Sequence, residues 1–185
     1  MTTPSFPMSK RGARGYRVAE VDRFLTAARA AFDGDDADAD DPLTSADIRT
    51  TSFRLRRKGY SVPHVDAALE RLEDAFALRE REGAQALEGP DAWLGEARDS
   101  AQVILDRLSA PDGERFDRAA RLKLGYSVED VDAFAAAVAD YFQGRRGLTV
   151  AEVRQVAFRP QRGGYRDTDV DALLGDVVAV MLAVR

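Results

Sequence analysis

The 185-residue chain contains no cysteine. That excludes disulfides, thiolate metal sites and a cysteine nucleophile, and it fits a reducing compartment. Histidine is almost as scarce, with His64 alone. It sits in the first turn of an expected helix, where a surface or capping role outweighs that of a general base or metal ligand. No glycine-rich phosphate loop followed by Lys-Ser/Thr occurs, no His-Glu-x-x-His and no Gly-x-Ser-x-Gly. The chain is therefore read as non-catalytic, with no catalytic residue, cofactor or metal expected. No run reaches the roughly 18 apolar residues that span a bilayer, and the opening "MTTPSFPMSKRGARG" lacks the apolar core of a signal peptide. The expected location is cytoplasmic.

Present instead are 45% hydrophobic and 32% charged residues, the composition of a soluble globular protein with one ordinary domain or two small ones. The net charge of -5 is concentrated in "DGDDADADD", Asp33 to Asp41, whose six Asp carry no compensating base; without them the sum becomes +1. Asp36, Asp38, Asp40 and Asp47 have ligand-like spacing. A calcium loop, however, needs Gly at its sixth position, where Asp41 stands, followed by Pro42. The segment is read as a solvated, self-repelling linker over residues 33–42.

Four stretches share one frame: "ARGYRVAEVDRFL", "LRRKGYSVPHVDAALERL", "KLGYSVEDVDAFA" and "GGYRDTDVDALL". The Gly-Tyr pairs are Gly15-Tyr16, Gly59-Tyr60, Gly125-Tyr126 and Gly164-Tyr165, and the Val-Asp pairs are Val21-Asp22, Val65-Asp66, Val131-Asp132 and Val170-Asp171. Phe6, Phe53, Phe116 and Phe158 precede them. The distance from Phe to Gly is nine residues in the first and third copies and six in the second and fourth. The four units therefore form two tandem doublets. "LTSADIRTTSF" and "LTVAEVRQVAF" ahead of the second and fourth copies repeat the same doubling.

After each Gly-Tyr, apolar residues alternate at spacings of three and four: Val18, Val21, Leu25, Ala28, Phe32; then Val62, Val65, Leu69, Leu72, Phe76. Val128, Val131, Ala135, Val138, Phe142 follow in the third copy and Val170, Leu174, Val177, Met181 in the fourth. Each is an amphipathic helix of about two heptads with a seam for a partner helix. Ser127 with Asp130, and Ser61 with Pro63, mark two starts, whereas Arg17 and Arg166 cannot cap, so those two helices are expected to start a residue later. Thr44 with Asp47 and Thr149 with Glu152 are capping boxes for short helices ending near Phe53 and Phe158. Between the doublets, "PDAWLGEARDSAQVILDRLSAPDG" reads as one more helix with Trp93, Leu94, Ala97, Ala101, Ile104, Leu105 and Leu108 on its buried side. The expected fold is an all-α helical bundle of four loop-helix units with coiled-coil-like pairing. Its divisions are residues 1–83 for the first doublet, 84–113 for the connecting helix and 114–185 for the second doublet.

The four glycines read as positive-φ turn residues that reverse the chain before each helix. Each tyrosine ring reads as core with its hydroxyl at a polar edge, and each Asp as a tie to the helix start or a loop. Basic residues gather in the loops, at Lys10, Arg11 and Arg14, at Arg54, Arg56, Arg57 and Lys58, at Arg118, Arg121 and Lys123, and at Arg159 and Arg162. Such loops suit an anionic surface. Nucleic acid is not expected, because the pI of 5.0 is low for such a domain and no aromatic platform interleaves with these bases.

"LTSADIRTTSFRLRRKGYSVPHVDAAL" and "LTVAEVRQVAFRPQRGGYRDTDVDALL" resemble the N-terminal domain of DivIVA, the bacterial division-site and cell-pole protein. The shorter first and third units resemble the DivIVA-type repeat of actinobacterial proteins. The resemblance covers most of the chain outside the acidic linker and the Trp93 helix. It implies an all-α lipid-binding domain that dimerises through a parallel coiled coil and presses a Phe-Arg loop tip into membrane. By position that pair falls on Arg57-Lys58 and Arg162-Gly163, so the inserting Phe is replaced and electrostatic attachment is what remains. The family's long coiled coil is also lacking: the second helix is expected to stop near Gly83 and the fourth ends at Arg185. The implied function is that of an adaptor or scaffold component in cell division or polar growth, at the inner membrane face. Its partners would be other proteins, including another of the DivIVA type, and an anionic membrane surface. A soluble interaction module without lipid binding is the alternative, and a nucleic-acid-binding domain the third. The sequence leaves open a monomeric pseudo-dimer and a homodimer, and one body or two.

Overall fold

The structure, a computed structural model, describes residues 5–34 and 42–184. Residues 35–41, with Asp36, Asp38 and Asp40 of the acidic linker, lie outside them. The described chain is predominantly helical, with seven helices and two small antiparallel strand pairs. It divides into two compact units, Met1–Glu82 and Gly83–Arg185.

The first unit contains β1 (Arg14–Tyr16), α1 (Val18–Asp33), α2 (Ser45–Thr50), β2 (Leu55–Arg57) and α3 (Val62–Glu88), and the division between units falls within α3. The strands were expected to be loops. They pair antiparallel, Arg14 with Arg57, Gly15 with Arg56 and Tyr16 with Leu55. Both long helices leave from this crossing and run side by side. Phe32 at the end of α1 meets Phe76 of α3 with ring centroids 5.4 Å apart, and Arg79 of α3 hydrogen-bonds the Phe32 carbonyl. The core at the crossing is Val21, Tyr60 and Val65, packed by Phe6, Tyr16, Val18, Leu25, Phe53 and Leu69. Three of the expected seam residues, Val21, Ala28 and Val65, are fully buried. Phe32 is the exception at 39% exposed.

α2 begins with the expected capping box: Thr44 and Asp47 exchange bonds in both directions. It is docked on α3 by charge as well as by buried Ile48. The Ser45 hydroxyl and backbone N–H both donate to Glu80 at 2.6 Å, and Arg49 pairs with the buried Glu73, also at 2.6 Å. α3 does not stop near Gly83. A helix-compatible glycine with no close neighbour does not break the turn, and the helix continues to Glu88 before Gly89 adopts φ 88°.

The second unit contains α4 (Pro90–Leu108), β3 (Leu124–Tyr126), α5 (Val128–Phe142), α6 (Val150–Gln155), β4 (Pro160–Arg162) and α7 (Asp167–Ala183). β3 and β4 pair antiparallel, Leu124 with Arg162, Gly125 with Gln161 and Tyr126 with Pro160. α6 opens on the capping box of Thr149 and Glu152 and packs on α7. α4 packs on α7 and α5, which supplies the partner that the sequence left unassigned. Its buried side is Ala97, Ile104 and Leu108, while Leu94, expected there, is exposed. α7 is covered on more than one face. Leu173, Val177, Val178, Val180, Met181 and Leu182 are all buried, a broader contact than the single stripe expected.

The helices after Arg17 and Arg166 do not start late. α1 and α7 begin two residues after Tyr16 and Tyr165, as α3 and α5 do after Tyr60 and Tyr126. Neither arginine side chain caps the backbone. Arg17 instead pairs with Glu20 at 3.2 Å, and Arg166 with Asp117 at 3.1 Å. The crossing, not the cap, sets the helix start.

Candidate functional site

The four motif glycines lie where two chain segments cross, and their role differs from the expected one. None has a left-handed φ. In the first unit Tyr16 N–H donates to the Tyr60 carbonyl at 2.9 Å and Tyr60 N–H to the Tyr16 carbonyl at 2.8 Å. In the second, Tyr126 and Tyr165 exchange the same two bonds at 2.9 Å each. A Cβ on Gly15 or Gly125 would lie under 3.0 Å from the carbonyl oxygen of Tyr60 or Tyr165, and one on Gly59 or Gly164 would meet the Tyr16 or Tyr126 carbonyl as closely. Glycine is required because two backbones touch there with no room for a side chain. The left-handed positions fall one residue earlier, on Lys58 with φ 57° and Gly163 with φ 63°.

The recurring Tyr and Asp serve one another across that crossing. Tyr60 donates its hydroxyl to Asp22 at 3.0 Å, Tyr165 to Asp132 at 3.0 Å and Tyr126 to Asp171 at 3.1 Å, while Tyr16 is hydrogen-bonded to Asp66. Burial, reinforced by the neighbouring carboxylate, raises the pKa of Tyr16, Tyr126 and Tyr165. The phenylalanines follow the same rule. Phe6 packs edge-on against Tyr60 at 5.3 Å, Phe53 against Tyr16 at 5.5 Å and Phe116 against Tyr165 at 5.3 Å, and Phe158 lies tilted on Tyr126 at 5.2 Å. Each aromatic therefore packs on the other motif of its own unit. The reciprocity explains why Gly-Tyr and Val-Asp recur at fixed spacing: each half completes the other, with Val21, Val65, Val131 and Val170 buried beneath.

What the crossing displays is cationic. In the first unit Lys10, Arg11, Arg14, Arg54, Arg56, Arg57 and Lys58 are all exposed, and none of the seven is in an ion pair among the described residues. The pairing of Arg14 with Arg57 and of Gly15 with Arg56 brings the two basic stretches together. Like charges held this close repel, and an anionic ligand would relieve that repulsion. Glu20 is the nearby acid, and its carboxylate is occupied by the Arg54 backbone N–H at 3.0 Å and by Arg17; these bonds, the backbone one first, lower its pKa.

No known family model, curated protein or solved structure matches this chain. The geometry of the two tips therefore stands alone, and they are not alike. In the second unit Arg159 is tied down. Its Nε lies 2.9 Å from Asp130 Oδ2, its backbone N–H donates to the same carboxylate at 3.0 Å, and these bonds pull the Asp130 pKa to about 2. Arg118 lies over the Tyr165 ring at 5.0 Å and donates to the Gly113 and Gly163 carbonyls, so it fastens the loop. Arg121, Lys123 and Arg162 remain exposed, with no ion pair among the described residues. The second tip thus has three exposed cations outside any ion pair among the described residues where the first has seven, one of which, Arg54, helps to hold the Glu20 pKa down.

Sequence reasoning found no apolar residue to stand in for an inserting Phe. The structure places leucines there. Leu55 is 54% exposed between Arg54 and Arg56, and Leu122 and Leu124 are 84% and 63% exposed around Lys123. The signal was available in "RLRRKGY" and "RLKLGY", where leucine alternates with bases in a segment too short for a helix seam. Leu55 and Leu124 open the short strands β2 and β3, and Leu122 lies in the turn just before β3. His64 Nδ1 lies 2.8 Å from the Ser61 hydroxyl at the start of α3.

Proposed function

We propose that this chain is a non-catalytic adaptor of the DivIVA-repeat type, acting in bacterial cell division or polar growth and touching the anionic inner membrane surface through its cationic tips. In this reading each unit is a doublet of the repeat closed on itself as an intramolecular pseudo-dimer. The chain then carries two membrane-facing tips without needing a second copy. The observation that carries the proposal is the composition of those tips: exposed Leu55, Leu122 and Leu124 among unpaired Arg and Lys. A basic residue near an anionic bilayer contributes about 1 kcal/mol, screened by salt, and a leucine moved from water into the acyl boundary adds up to about 2 kcal/mol. The first tip is therefore the principal contact, and its seven charges at low salt exceed the sum for the second.

Co-sedimentation of the full chain with vesicles of anionic lipid tests this. Binding is expected at low salt, reduced at high salt, lost on changing Arg54, Arg56, Arg57 and Lys58 to Ala, and weakened by Leu55→Ser with the charges intact. Absence of binding at low salt, or indifference to the four charge changes, removes the membrane contact from the proposal. The soluble interaction module then becomes the reading, favoured by the open groove between α1 and α3.

A further inference from the structure

In the second unit α4 lies antiparallel to α7 and acts as a lid on the helix pair. Trp93 near its start donates Nε1–H to the Ala183 carbonyl at the far end of α7, at 2.8 Å. At its other end the Leu108 carbonyl accepts from Arg115 at 3.0 Å, and the Arg115 guanidinium reaches Asp132 at 2.8 Å beside the crossing. Asp132 is thereby saturated, with bonds from Tyr165, from the Gly113 N–H at 2.7 Å and from Arg115. Arg107 of α4 lies over the Phe116 ring at 5.0 Å, and Phe116 is buried, as are Ala135 and Val177 on the two helices against which α4 packs.

The first unit has the counterpart of that bed with nothing of its own described residues laid over it. A groove of about 1030 Å³ runs from Phe6 and Tyr60 at the crossing, past Asp22 and Leu25, to Phe32 and Leu72. Ser5 stands one residue before Phe6 as Arg115 stands one before Phe116. Both backbone N–H groups donate to the buried tyrosine hydroxyl, Ser5 to Tyr60 at 3.1 Å and Arg115 to Tyr165 at 3.3 Å. The backbones are thus equivalent, but Ser5 has no guanidinium to offer. Asp22 accepts from Tyr60 and has no ion pair among the described residues.

We propose that this groove receives an amphipathic helix from another protein, antiparallel to α1 and α3, with an arginine just past its C-terminal end that pairs with Asp22. α4 is the internal template for both the apolar stripe and the trailing cation. The groove is not a copy of the α4 bed, however: Leu25 and Arg29 stand where the second unit has Ala135 and Ala139. The guest helix must sit farther out than α4, and Arg29 selects one with an acidic residue on its facing side. The inference does not depend on membrane contact and survives its failure.

The test uses the full chain and a fluorescein-labelled peptide of residues 90–116 as the probe, read by fluorescence anisotropy. Saturable one-to-one binding is expected, weakened at least tenfold by Thr26→Trp in the protein, which blocks the groove from an exposed position, and at least tenfold by R115A in the peptide. Helical content of the Thr26→Trp protein, read by circular dichroism, should equal that of the parent, so that lost binding reports the groove. Absence of saturable binding overturns the proposal, as does binding that survives both changes. A chain that dimerises in sedimentation equilibrium and becomes monomeric with Thr26→Trp also overturns it, because a second copy would then be the occupant.

Discussion

Gly15→Ala isolates the physical claim on which the crossing rests. An added methyl group would lie under 3.0 Å from the Tyr60 carbonyl oxygen and also against the Gly59 backbone, neither of which can swing aside as a side-chain end can. The two segments must part. Parting them breaks the pair of bonds between Tyr16 and Tyr60, about 1 kcal/mol each, and leaves buried polar groups unsatisfied for about 1–3 kcal/mol more. The expected loss is about 3–5 kcal/mol, which for a unit of this size lowers its unfolding midpoint by roughly 15–30 °C. Gly83→Ala is the control. It lies within α3 with nothing within 4 Å of its added Cβ, and should stabilise by roughly 0.5–1 kcal/mol. Differential scanning calorimetry reads both. Gly15→Asn separates close approach from backbone handedness: Asn tolerates a left-handed φ but not a lack of space, so it should be at least as damaging as Ala. Gly15→Ala within about 1 kcal/mol of the parent, or marked relief by Asn, would refute the close-approach account.

Three further outcomes are expected. Lys58, at φ 57°, occupies the place that Gly163 holds in the second unit, so Lys58→Gly should raise the stability of the first unit by about 0.5–1 kcal/mol in urea titration while weakening vesicle binding. Tyr165→Phe removes the buried bond to Asp132 and the acceptor for the Arg115 N–H, and should cost about 1–3 kcal/mol by the same measurement. The Asp130 carboxylate has a folded pKa of about 2, below its unfolded value near 4, so its contribution is complete above pH ~4 and is lost as the pH falls towards 2. Asp130→Asn should flatten that part of the acid-unfolding curve, and the Asp130 carboxyl resonance should titrate near 2.

The local elements were legible because short-range chemistry decides them. Both Thr capping boxes, the helix at Pro90 and the buried valines of the motif follow from spacing within a dozen residues. Relations between segments were not. A glycine before a tyrosine reads equally well as a turn or as a close approach, and only the second segment, about forty residues away, decides between them. The tie between Tyr60 and Asp22 was hidden for the same reason: each residue had a plausible local role, and nothing in either segment says that it completes the other. The fate of Arg159 was legible in part, since Asp130 was recognised as a first-turn acid, yet its pull on a distant base was not. At the tips, the exposed leucines were not singled out, because strands of three residues are too short to register in the sequence pattern.

Pairing successive stretches of one polypeptide, instead of two separate molecules, makes closure of each unit a first-order event that dilution does not reverse. It also frees the two flanks from identity. A homodimer must repeat every residue on both sides, whereas here the position after Gly-Tyr holds Arg17 on one flank and Ser61 on the other in the first unit, and Ser127 and Arg166 in the second. A clasp whose two sides differ in this way has a front and a back.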